Sequence, residues 1–375
     1  MVKASDACAI ITTTFYLPSL TYPLFHAQIS HANHHNHSAM KKLLSFILCL
    51  LLTNHCYADN NLPSLFLFLG GDEASLYQNQ LNHSCVLGAQ IIYSWKQLEP
   101  KKGIYNFSKI ENDLRYLNKF HKKLFIQLQD RSFEPTVFNV PDYIREDPIY
   151  HGGVAMQYDF PGEGIPISAG WVARTWDPAV RERFHLLIEK LAAQFDGRIA
   201  GINLPETAID LDPNQLPTDY SNDSYYHSVI INLAKLKHSF QQSIVMQYVN
   251  FFPGESNNNH PYMTKLFSFA IKNQIALGGP DVIPFRDSQM KNSYPFFHNS
   301  RGKLLIGMAI QEPDYTYRNP TTGDYFKFLD FYHFSTKYLG TSLLFWNIQE
   351  PFFSKQLQPK MNPDHFQCLS KKLSQ

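Results

Sequence analysis

Residues Asp177–Glu206 read DPAVRERFHLLIEKLAAQFDGRIAGINLPE. Val180, Phe184, Leu187, Ile188, Leu191 and Phe195 recur at helical spacing, so one apolar face runs the length of a helix over Val180–Phe195. Asp177-Pro178 ahead of it supplies a capping side chain and a first-turn proline, and Asp196-Gly197 behind it supplies the stop. The run Ile199–Leu204 then has the length and composition of a strand buried on both faces. A helix feeding such a strand is the repeating unit of a parallel sheet. The strand ends on Asn203, Pro205 and Glu206.

The same alternation extends in both directions. Leu65–Leu69 closed by Gly70-Gly71, Ala89–Trp95 and Leu124–Leu128 read as the first three strands, with a helix over Phe107–Phe120 between the second and third. Ser243–Val249, Ile275–Leu277, Leu304–Ile310 and Ser342–Trp346 read as strands five to eight. Helices are expected over Val229–Phe240, Met263–Lys272 and Tyr325–Tyr338, with a last one over 362–373. Residues 131–176 are rich in Pro, Gly and aromatics with no strong period, the mark of a functional loop. Eight strands with mostly helical connections predict an α/β fold, a single (β/α)8 TIM barrel with a long loop insertion after strand 3. No glycine-rich phosphate turn of the dinucleotide or P-loop kind accompanies the strands.

The 375 residues are 44% hydrophobic, 14% aromatic and 17% charged, with a formal net charge of +1. That composition excludes a disordered chain and carries no basic surplus for nucleic acid. Residues 1–39 have no period and include a histidine cluster, His31–His37, read as a coincidental polar stretch, so no metal is expected. They read as a spurious or disordered extension. Met40, Lys41-Lys42, the apolar run Leu43–Leu52 and Ala58 read as a secretory signal peptide over 40–58, leaving 59–375 as the catalytic domain. The apolar run is too short to span a bilayer, so no stable membrane insertion is expected after cleavage, and the location expected is periplasmic or secreted. Cleavage would remove Lys3, Lys41, Lys42 and Asp6 and leave the remainder near neutral. It would also leave two cysteines, Cys85 and Cys368, either as one disulfide or as two buried thiols. In a closed barrel the first and last elements are neighbours, which favours the disulfide.

Barrel chemistry gathers at the C-terminal ends of the strands. The polar residues there include Asp130 and Arg131 after strand 3, Asn203 and Glu206 after strand 4, Tyr248 and Asn250 at strand 5, and Asp281 after strand 6. Gln311 and Glu312 follow strand 7, and Trp346 closes strand 8. Glu206 and Glu312 lie three strands apart, where two carboxylates can flank a substrate. One would serve as general acid and the other as nucleophile, as glycoside cleavage requires. Asp130 and Arg131 either bind substrate hydroxyls or form a rim ion pair. Aromatic candidates for packing on sugar faces are Trp95, Trp171, Trp176, Tyr248, Tyr315 and Trp346.

The segment Tyr93-Ser94-Trp95-Lys96-Gln97-Leu98-Glu99-Pro100-Lys101-Lys102-Gly103-Ile104-Tyr105-Asn106-Phe107 resembles the strand-2 signature of the clan of (β/α)8 retaining glycoside hydrolases that includes families 5 and 42. The resemblance implies Glu206 as acid/base, Glu312 as the strand-7 nucleophile and Trp346 as the strand-8 aromatic under the sugar. It implies an oligosaccharide or polysaccharide substrate and no cofactor. The clan usually places Asn directly before the acid/base; Pro205 stands there here, and the nearest Asn is Asn203. Ile-Gln-Glu-Pro occurs at 310–313 and again at 348–351, so Glu350 rivals Glu312. A non-catalytic carbohydrate-binding barrel is the alternative function.

Overall fold

The computed structural model describes residues 62–159, 167–255 and 259–368. The readings of 1–39 and 40–58 fall outside those residues, as does the chain beyond Cys368.

Eight parallel strands close into a barrel in the order β1 (Ser64–Phe68), β2 (Val86–Ser94), β3 (Lys123–Gln129), β6 (Gly201–Leu204), β7 (Ile244–Tyr248), β8 (Ala276–Gly279), β9 (Ile306–Ile310) and β10 (Leu343–Asn347). The ring is completed where β1 pairs with β10, Phe66 opposite Phe345 and Phe68 opposite Asn347. This is the expected (β/α)8 architecture. The remaining two strands, β4 (Val154–Asp159) and β5 (Ile167–Ala173), form an antiparallel pair inside the strand-3 insertion. The expected loop thus contains a hairpin, whose short two-residue period is masked in the sequence by glycines and aromatics.

Helix Pro178–Phe195 buries Val180, Phe184, Leu187, Ile188, Leu191 and Phe195, the six positions expected from its spacing. Asp177 accepts from the Ala179 and Val180 amides at 2.7 and 3.4 Å and so occupies two of the four free donors of the first turn. The helix before β7 starts earlier than expected, at Asn222, because Ser221 and Ser224 cap each other's backbone amides. The expected last helix is absent from the described part of 362–373. There Asn362 draws the amides of Asp364, His365 and Phe366 into a turn, and Pro363 leaves no amide to continue a ladder.

Two apolar layers result. Phe66, Phe125, Met246, Ala276, Ala309, Leu343 and Phe345 fill the barrel interior. Their strand neighbours, such as Leu65, Ile202, Leu344 and Trp346, face the helices. The interior is narrow: a Cβ on Gly278 would stand 1.7 Å from the Gly307 carbonyl oxygen, so only glycine closes the β8–β9 seam. Cys85, in the turn before β2, is joined to Cys368 beyond β10 as a disulfide. Lys122 is buried beside that turn and donates to the His83 and Val86 carbonyls at 2.8 and 2.7 Å.

Candidate active site

Glu206 lies two residues past β6, part-buried at the C-terminal rim. The Asn250 side-chain amide, just past β7, donates to Glu206 Oε2. Burial pushes the Glu206 carboxyl up to about 7; the Asp281 charge also raises it, while Arg131 and the Asn250 hydrogen bond oppose the rise. At neutral pH this carboxyl therefore holds a proton for a large share of the time, which an ordinary glutamate does not. A cavity of about 20 Å³ lies beside it, lined in part by Asp130, Arg131, Pro205, Tyr225 and Gln247. That is room for about one water, between these polar groups and the apolar side chains of Val172, Phe184, Leu204 and Val229.

Asp281 sits on the next rim position but one, after β8, and is part-buried. Gln311 Nε2, just past β9, donates to Asp281 Oδ1 at 3.2 Å and to the Pro280 carbonyl at 3.0 Å. Burial raises the Asp281 carboxyl as well. Beneath it Asp314 is fully buried, and its Oδ2 accepts from the Val282 and Gln311 amides, each at 3.1 Å. Burial, reinforced by the Asp281 charge, pushes Asp314 well above the usual carboxylate range. Asp314 thus stitches the strand-6 loop to the strand-7 loop. Nothing in the sequence marks it, because a single Asp directly after a Glu-Pro pair carries no pattern.

Glu312 is exposed. It is Gln311, two residues beyond the inward-facing Ala309, that turns its side chain to the strand-6 loop. The carboxylate charges that raise the proton affinity of Glu206 are those of Asp281 and Asp210. Glu350 is exposed too and is engaged by the Ser354 hydroxyl at 2.6 Å and amide at 3.2 Å.

Several expected sugar contacts are corrected. Trp346 presents no surface: it is outward on β10, because Leu343 and Phe345 take the inward positions, and it stacks on Phe328 at 5.2 Å. Trp95 is equally buried, donating to Glu99 Oε2 at 2.9 Å and packing on Phe184. Glu99 also receives the Gly103 amide and Arg183, so the strand-2 signature is a clamp between a loop and the helix Pro178–Phe195. Asn203 and Tyr248 are inside the barrel, both hydrogen-bonded by Gln90 Nε2, at 3.0 and 2.7 Å. Asp130 and Arg131 are buried as an ion pair at 3.5 Å, and Arg131 donates to the Ala208 carbonyl at 2.9 Å. Tyr315 and Trp176 are largely occupied by neighbouring aromatic rings. Trp171 remains part-exposed, its ring tilted against Phe138 with centroids 4.8 Å apart.

One aromatic was missed. Phe285, in the loop that begins with Asp281, is 60% exposed and held at φ +60°. A bulky side chain in the left-handed region is a strained choice, of the kind that collects at functional sites. Nothing in the sequence marks it.

With this geometry established, comparison with solved structures gives relatives of low identity. A β-galactosidase from Bacillus circulans is 10% identical, covering 77% of this chain and 50% of its own, at a TM-score of 0.50. The likeness is one of fold. This chain spans half the length of that enzyme. Xylanase 10B from Thermotoga petrophila is 10% identical over 76% of this chain and 82% of its own, at 0.47. A family 39 glycoside hydrolase from Bacteroides cellulosilyticus is 12% identical over 77% and 57%, at 0.47. No protein-family model matches the chain, and no curated protein sequence matches it. The chain therefore resembles (β/α)8-barrel glycoside hydrolases in architecture, and its chemistry has to be argued from the rim residues.

Proposed function

We propose that the chain hydrolyses O-glycosidic bonds, with Glu206 giving its proton to the leaving oxygen. The observation that carries this reading is the pairing of position and proton affinity. Glu206 stands at the end of the fourth barrel strand, is reachable from outside, and is pushed by burial up to about 7. A general acid works best when its proton affinity lies near the operating pH. An ordinary rim glutamate, hydrated and paired, has no cause for that shift.

The retaining scheme adds Glu312 as nucleophile and rests on its place directly after β9. Its exposure supports that scheme less well than the sequence position does. The non-catalytic alternative keeps the rim but turns nothing over. The full chain incubated with a panel of 4-nitrophenyl glycosides and unsubstituted oligosaccharides separates the two readings. Turnover that collapses in Glu206→Gln supports the enzyme; saturable binding without turnover in the wild type supports the binding barrel.

The near-neutral composition suits an uncharged glycan. Export through the segment 40–58 belongs to the same reading, and a Cys85–Cys368 bond fits the oxidising compartment that export would reach.

A further inference from the structure

The loop that carries Glu206 is held by its backbone at three points. Gln247 on β7 donates its side-chain amide to the Pro205 carbonyl, the Tyr225 hydroxyl donates to the Thr207 carbonyl at 2.8 Å, and Arg131 Nη1 donates to the Ala208 carbonyl at 2.9 Å. All three donors are buried, and of the three Arg131 alone carries a charge. Arg131 is also the one that comes from the strand-3 insertion, two residues past β3. Its own backbone is fixed there. Asn139 Nδ2 donates to the Arg131 carbonyl at 2.6 Å, the Ala173 amide donates to the Asp130 carbonyl at 3.1 Å, and Ser132 and Trp171 exchange amide–carbonyl bonds at 2.8 and 3.2 Å. The side chain is therefore pinned at its root to β5 and at its tip to the loop of Glu206.

We propose that Arg131 is a positioning residue for Glu206, locking the loop of the acid to the strand-3 insertion and setting a permanent positive charge beside its carboxyl. The proposal rests on the glycosidase reading with Glu206 as proton donor. Asp130, Arg131 and Glu206 share the walls of one small cavity. The Arg131 charge acts on Glu206 more strongly than the opposing charges of Asp281 and Asp210 do. In a retaining double displacement one group gives its proton to the leaving oxygen and then draws a proton from water, so both of its forms have to be accessible. Burial favours the protonated form of Glu206 and Arg131 the ionised one. A guanidinium keeps its charge at any working pH, so this bias persists through both halves of the cycle.

A purely structural role suits the pair less well. Neither Asp130 Oδ1 nor Arg131 Nε has a hydrogen-bond partner among the described residues, and the two stand 3.5 Å apart. A buried ion pair bonded this sparsely regains little of its desolvation cost, and apolar side chains of similar volume serve stability as well or better. Removing one charge alone would strand the other.

The test therefore removes both charges at once, in the full chain, with whichever 4-nitrophenyl glycoside of the panel it cleaves. Asp130→Leu/Arg131→Met is expected to melt at or above the wild-type temperature. Its kcat is expected to fall by about 10–100-fold, the scale of a misplaced reacting group. The alkaline limb of its pH–rate profile is expected to move up by about one pH unit, because the nearby cation is gone. Arg131→Lys keeps the charge and loses the fork, so its limb is expected to stay in place while kcat still falls. A structural staple would lower stability and rate together and leave the limb where it was. A folded double variant whose limb stays or moves down, or whose kcat is within about threefold of wild type, overturns this assignment and leaves the glycosidase reading standing. If the double variant does not fold, Arg131→Lys decides: kcat within about threefold of wild type overturns the assignment, and a larger fall with the limb in place upholds it. A wild-type chain that cleaves no member of the panel overturns both readings.

Discussion

Asn250 donates its side-chain amide to the carboxylate of Glu206 across the β6–β7 rim. This hydrogen bond favours the ionised form of a group that burial drives the other way. Removing it lets burial act unopposed. In Asn250→Ala the alkaline limb of the pH–rate profile should move up by about one pH unit, since a hydrogen bond to a charged group is worth ~1.5–3 kcal/mol. A limb that stays in place or moves down would mean that Glu206 is not the titrating acid.

Glu206 itself should trade stability for function. Its folded-state proton affinity is raised from 4.5 to about 7, so the folded state holds a proton that the unfolded state releases between those values. The stabilisation is therefore complete below about 4.5 and is lost as pH rises through 7. Glu206→Gln carries no ionisable group. It should melt close to wild type at pH 4 and above it at pH 8, while kcat toward poor leaving groups falls by about 10²–10⁴-fold. Paired thermal melts and rate measurements check both halves.

Trp346 is a packing residue between β10 and the rings of Phe328, Phe331, Phe352 and Phe366. Trp346→Ala should cost ~3–5 kcal/mol in urea unfolding, as truncation of a buried aromatic does. Trp346→Phe should cost less and leave KM within a factor of two. A Trp346→Phe variant with near-native stability but a much raised KM would restore the sugar-stacking role.

The Cys85–Cys368 bond spans 283 residues of sequence. Its loss in the Cys85→Ser/Cys368→Ser pair should lower stability by ~2–5 kcal/mol, most of it through a freer unfolded chain. Urea midpoints with and without reductant measure it. The double variant should not respond to reductant.

The barrel was legible because each helix carries its apolar face at a regular period and each strand is a short apolar run closed by a turn. Val180–Phe195 and Ile199–Leu204 are the clearest instance. The rim position of Glu206, Asn250 and Asp281 followed from counting strand ends. What strand ends do not disclose is which of two alternating faces looks inward. Trp346 and Glu312 were read without that parity, and the inward places go to Phe345 and Gln311. Asn203 and Tyr248 had the right parity but lie too deep, within the Gln90 network of the barrel interior. The β4–β5 hairpin pairs within an insertion whose glycines and aromatics obscure its alternation, and Asp314 ties together two loops 32 residues apart in a turn without a motif, so neither leaves a clear periodic trace.

The bond between the turn before β2 and the segment beyond β10 has one more effect. Together with the peptide chain from 85 to 368 it forms a closed covalent loop that holds seven of the eight barrel strands, all but β1. A single protease cut anywhere within that span severs the backbone without releasing a fragment. A nicked molecule would run as one band on a non-reducing gel and as two after reduction. In an environment rich in proteases, damage of this kind would leave the ring of strands tethered and able to re-close on itself.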